Sequence, residues 1–119
     1  MKLGEIRSQM VAFRLSVDEE ARALKDSYLA LDRLHQLYRR FDVNEREMAE
    51  QVLTEWALSM DENVRFDALA LIDDFKIASA VPALQTLLAH LASATSPGAP
   101  YEIKKVARII AGMQPMVKA

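Results

Sequence analysis

The stretch from Asp61 to Leu91, DENVRFDALALIDDFKIASAVPALQTLLAHL, leaves few folds open. Val64, Ala68, Leu71, Ile72 and Phe75 recur at helical period, and Val81, Leu84, Leu87, Leu88 and Leu91 do so again. Lys76-Ile77-Ala78 between them has room only for a tight turn. Asp61 is placed to cap the first helix and Ser79 the second, with Pro82 in a first turn, where its missing N–H is harmless. Two short helices joined this tightly do not bury their apolar faces on each other alone. Further helices must cover them, so the pattern demands an all-α chain of stacked helical hairpins.

The rest of the chain agrees. Leu3, Ile6, Met10 and Phe13 mark a short amphipathic helix, an N-terminal cap over residues 1–16. Ser16 with Glu19 reads as a capping box that opens a long second helix, 17–41. Leu24, Tyr28, Leu31, Leu34, Tyr38 and Phe41 line that helix, and Leu29 and Leu37 widen the stripe. Asn44 with Glu47 reads as another capping box, before a helix that buries Met48, Val52, Leu53 and Trp56. The loop 93–100, SATSPGAP, is followed by a last helix, 101–113, with Ile103, Val106, Ile110 and Met113 inward and a frayed tail 114–119. No strand-like alternation occurs, and only Gly 3 and Pro 4 interrupt.

The 119 residues fit one domain, 1–119. Without cysteine there is neither a disulfide frame nor a thiolate metal site. Glu5 and Arg7 interrupt any apolar signal core, and no run approaches the roughly 20 apolar residues of a membrane span. A cytoplasmic location is the expectation. The net charge of −2 gives no overall field for nucleic acid, but it is unevenly spread. Residues 45–100 carry nine acids against three bases, while 22–41 and 101–119 are each basic by three.

Asp61, Val64, Arg65, Ala68, Ile72, Phe75 and the run Ala80-Val81-Pro82-Ala83-Leu84 resemble a unit of the bacterial HEAT-like repeat family, the short form first noted in phycobilin lyases. The family's Gly-Asp-Pro turn is replaced by Lys76-Ile77-Ala78. Ile103-Lys104 and Ala107 resemble the first helix of a following unit, and Leu53 and Ala57 the second helix of a preceding one. The resemblance implies a right-handed α-solenoid of about two and a half helical hairpins, with five or six helices. It implies an interaction scaffold more than a reaction, since the family spans lyases, scaffolds and many small proteins. It also implies that Arg65 ties neighbouring units together, by pairing with an acid such as Asp61 or Asp67.

Candidate chemistry is sparse. Asp67, Asp73 and Asp74 read as an exposed acidic face, because a hard-metal site needs oxygens converging from several elements. His35 and His90 lie on separate helices without a third ligand, and Asp32, His35 and Arg39 share one helix face as mutual support. Trp56 reads as core. Lys104, Lys105 and Arg108 make a basic stripe too short to argue for nucleic acid. No cofactor or metal is expected. The leading expectation is a non-enzymatic protein-binding module of the immunity or inhibitor type. It would meet a basic partner through Asp67, Asp73, Asp74, Glu50 and Glu55, with Tyr101 as a contact beside the loop. Two alternatives are a lyase or lyase accessory holding a bulky ligand in a groove, and a homodimer through residues 101–119.

Overall fold

The computed structural model describes residues 2–24 and 29–113. Six α-helices follow one another: α1 (Leu3–Leu24), α2 (Leu29–Arg40), α3 (Val43–Ala57), α4 (Glu62–Asp74), α5 (Val81–Ala92) and α6 (Ala99–Met113). A single 3-10 turn, Ala78–Ala80, precedes α5, and no strand occurs among the described residues. The helices gather into two compact units, Met1–Val52 and Leu53–Ala119, with the boundary inside α3.

In the first unit the N-terminal segment and the start of the long helix are one element. Ser16 and Glu19 lie mid-helix in α1, both exposed, so the expected capping box does not form. The reason is phase. Ile6, Met10, Val17 and Ala21 are buried and Phe13 is half-buried, a stripe that passes Ser16 without a shift of face. The actual cap lies at the start, where the Lys2 N–H donates to Glu5 Oε1 at 3.0 Å.

The long helix expected over 17–41 is instead two elements. Arg33 on α2 pairs with Glu20 on α1 at 2.9 Å. Thirteen residues along one helix would separate them by roughly 20 Å, so α1 and α2 pack side by side as a hairpin. Leu24, expected inward, is 64% exposed. Tyr28 lies outside the described residues, as does the tail 114–119.

The capping box of α3 is also displaced. Asp42, not Asn44, is the cap: its N–H donates to Glu45 Oε1 at 2.9 Å, and Glu45 N–H donates to Asp42 Oδ1 at 2.8 Å. Substituting both candidate caps tests these assignments. Asp42→Ala is expected to cost about 1 kcal/mol in urea unfolding, whereas Ser16→Ala is neutral or slightly stabilising. A loss of about 1 kcal/mol in Ser16→Ala would restore the helix start at Ser16.

In the second unit α4 begins as expected. Asp61 Oδ1 accepts from the N–H groups of Asn63 and Val64, at 2.9 and 3.4 Å. It ends in a Schellman motif: Ile77 N–H reaches the Ile72 carbonyl at 3.0 Å and Lys76 N–H the Asp73 carbonyl at 3.3 Å. The motif requires a left-handed residue, and Lys76 takes that place with φ 51°. Glycine would adopt it without the Cβ penalty. Buried Ile72 and Ile77 flank the motif, and apolar burial on both sides compensates the strained lysine. Ser79 does not cap α5; it lies in the 3-10 turn, whose register places Ala80 at the cap and Pro82 in the first turn of α5. The loop 93–100 is two residues shorter than expected, because Ala99 and Pro100 already belong to α6.

The core of this unit contains Leu53, Trp56, Ala57, Ala68, Leu69, Leu71, Ile72, Leu84, Leu87, Leu91, Val106, Ile109 and Ile110. Trp56 is a core residue, as expected. Ala107, matched above to the small residue of a repeat helix, is exposed, whereas its counterpart Ala68 is fully buried. α5 packs closely on α6, and α4 also meets α6.

Candidate functional site

Arg65 and Glu102 organise the surface where α4 meets α6. Both lie in the opening stretches of their helices, Arg65 four residues after the Asp61 cap and Glu102 four after Gly98, whose carbonyl accepts the Glu102 N–H at 3.0 Å. Their forks meet bidentately: Arg65 Nε donates to Glu102 Oε2 at 2.8 Å and a terminal nitrogen to Oε1 at 3.0 Å. The other terminal nitrogen donates to the Ser59 carbonyl at 2.9 Å, in the turn before α4. The bond to Glu102 above all, outweighing burial, raises the Arg65 pKa beyond its ordinary value, with Glu62 and Asp61 adding to the pull. Arg65 thus joins α4 to α6 through Glu102, and to the turn before α4 through the Ser59 carbonyl.

Two grooves lie beside this tie. One, of about 270 Å³, is lined by Glu62, Asn63, Phe66, Leu69, Gly98, Tyr101, Glu102 and Lys105. Its two aromatic rings are open to solvent, Phe66 at 49% and Tyr101 at 75%. Lys105 Nζ sits over the Phe66 ring, 4.2 Å from its centroid. Burial is the main cause that lowers the Lys105 pKa, and Arg108 adds to it, against the opposing pull of Glu102 and Asp73. The other groove, of about 450 Å³, holds Leu58, Met60, Leu87, Leu91 and His90 on the far side of Arg65.

The expected contact residues are dispersed. Tyr101 lies in the aromatic groove; Asp67, Asp73 and Asp74 share α4 but do not line it. Asp67 and Asp73 are half-buried and Asp74 is exposed, and Asp73 is paired with Lys76 at 3.0 Å. Glu55 is an exposed residue of the second unit. Glu50 belongs to the first unit, where it accepts the Tyr38 hydroxyl at 2.8 Å. Of the basic stripe, Lys104 and Arg108 are exposed, and Lys105 is drawn onto Phe66.

Glu62, Phe66 and Glu102 were not among the sequence candidates. Phe66 carried a usable signal, since it stands off the apolar stripe of Val64, Ala68, Leu71, Ile72 and Phe75.

The His35 Nδ1 lies 2.8 Å from the Leu31 carbonyl, and Gln36 donates to Asp32 at 3.2 Å, both local bonds along α2. No group of three or more His, Asp or Glu side chains is placed to hold a metal among the described residues. No helix among them is long and apolar enough to cross a membrane.

Tyr38 supplies a pH prediction. Burial first, then the hydrogen bond and charge of Glu50, make its phenol harder to ionise, against a smaller opposing effect of Arg46. A phenol whose pKa is raised on folding leaves stability intact below its ordinary value of about 10 and withdraws it as pH rises further. Wild-type stability is expected to fall above about pH 10 by up to about 1.4 kcal/mol per pH unit more than that of Tyr38→Phe. Parallel urea titrations between neutral and alkaline pH measure the difference. Equal slopes for the two proteins would show that Tyr38 ionises freely in the fold.

Comparison of the chain with protein-family models, with curated proteins and with solved structures finds no match in any of the three.

Proposed function

We propose that this chain is a non-enzymatic protein-binding module, a helical scaffold of HEAT-like hairpins that meets a partner on the surface of α4 and α6. One observation carries the reading: Phe66 and Tyr101, both open to solvent, line one groove together with Glu62. Exposed aromatic side chains held on rigid helices supply contact area at low entropic cost, and tyrosine is enriched where proteins bind proteins. Glu62 lines this groove and Asp67, Asp73 and Asp74 lie further along the same helix, an acidic character that favours a basic partner, as in an inhibitor that covers a basic enzyme.

Charge and contact are tested together. The tagged protein is used to capture partners from a lysate of its source cells at low and moderate salt. A stoichiometric partner that is weakened by salt, lost in Tyr101→Ala and weakened in Asp73→Lys/Asp74→Lys supports the reading. A partner retained by both variants places binding elsewhere. No partner at either salt contradicts the reading.

A further inference from the structure

The aromatic groove distinguishes between kinds of partner side chain. Its volume, about 270 Å³, has room for one large side chain. Phe66 and Tyr101 are among its lining residues, and the faces of aromatic rings carry the negative part of the quadrupole. Glu62 adds a carboxylate at the exposed rim, and both carboxylate oxygens of Glu102 are engaged by Arg65. The charge of Glu102 is answered by Arg65, so the carboxylate left to an incoming group is that of Glu62. An incoming anion would be repelled by Glu62 and by the aromatic faces, whereas an incoming cation would find them favourable and compete with Lys105 for Phe66.

Lys105 shows that the seat takes a cation, because its own ammonium already rests on Phe66 at 4.2 Å. That ammonium is half-buried in a position that disfavours its charge, and it keeps a flexible four-carbon stem on which to swing away. A guanidinium is better suited to the place. It is planar, stacks on aromatic faces and is less strongly hydrated than an ammonium, so it loses less on entering.

We propose that the groove between α4 and α6 is a seat for an arginine side chain of a partner protein, with Lys105 as a resident cation that the arginine displaces from Phe66. This deepens the protein-binding reading and rests on it for biological meaning. The seat is nevertheless measurable without the partner. Acetyl-Gly-Arg-Gly-amide is titrated into the full chain at low salt, followed by amide NMR, with the Lys and Glu peptides as comparisons. Saturable shifts are expected at Asn63, Phe66, Gly98 and Tyr101, with the Arg peptide binding more tightly than the Lys peptide and the Glu peptide giving no saturable response. Lys105→Met is expected to tighten Arg-peptide binding about fivefold, Phe66→Leu to weaken it about fivefold, and Glu62→Gln to weaken it about threefold. An unchanged far-UV spectrum confirms that each variant is folded.

Saturation of the same amides by the Glu peptide, weaker binding in Lys105→Met, or no saturable response to the Arg peptide would each overturn the proposal. Loss of the seat with a partner still captured through Tyr101 would refute the arginine alone. A working seat with no captured partner would refute the protein-binding reading and leave the cation site standing.

Discussion

Arg65→Ala is expected to destabilise the second unit by about 2 kcal/mol, the largest effect of any charged residue on this surface. Three bonds are lost together, two to Glu102 and one to the Ser59 carbonyl. The side chains are 12% and 19% exposed, so the pair is neither a solvated surface bridge nor fully dry. A surface pair is worth less than about 1 kcal/mol, and removing one partner of a buried pair costs about 3–5, so an intermediate value follows. The loss is expected to lower the midpoint of thermal unfolding by roughly 8 °C. Glu102→Ala should cost nearly as much, and the double variant less than the sum by at least about 1 kcal/mol, since the pair is lost only once. Strict additivity would show that the two residues act independently.

Ile72→Ala is expected to cost more, about 3–4 kcal/mol. Ile72 has no solvent exposure. It lies in the last turn of α4, where its carbonyl also accepts the Schellman bond from Ile77 N–H. Truncation leaves a cavity that a close-packed interior fills only in part. Against a total stability of the order of 5–15 kcal/mol, such a loss leaves the second unit marginal at 37 °C. Phe66→Leu supplies the contrast. Phe66 is half exposed, so the change should fall within about 0.5 kcal/mol of wild type. Urea unfolding of the two variants therefore separates a residue that packs the core from one that stands at the surface.

The residues whose role is local were legible from the sequence. Asp61 caps α4, Pro82 opens α5 and Trp56 is buried, each as its neighbours dictate. Choices between equivalent local signals were not. Ser16 and Glu19 have the spacing of a capping box, but a stripe from Ile6 to Ala21 in constant phase keeps α1 whole. Asp42 and Asn44 both offer a cap with an acid three residues on, and the chain uses Asp42. Asx and Ser side chains favour caps, but tertiary burial decides which one is used.

The site was less legible still, because its parts are far apart in sequence. Arg65 and Glu102 are 37 residues apart, and the local acids Asp61 and Asp67 offered a nearer pairing. Lys105 looked like one of a basic stripe with Lys104 and Arg108, and only the packing of α6 near α4 brings it over Phe66. Tyr101 was singled out for its place beside a loop. Its actual setting, at the third residue of α6 and in the same groove as Phe66, is a helical one.

The most direct test is to replace Tyr101 by a photo-crosslinking phenylalanine analogue and irradiate the source cells, with the analogue at Gln9 as an exposed control on α1. A discrete heavier adduct from position 101 and none from position 9 is the predicted result, and its mass spectrum would show which partner peptide occupies the groove. No adduct from position 101, or the same adducts from both positions, would contradict the assignment of this face as a protein-binding site.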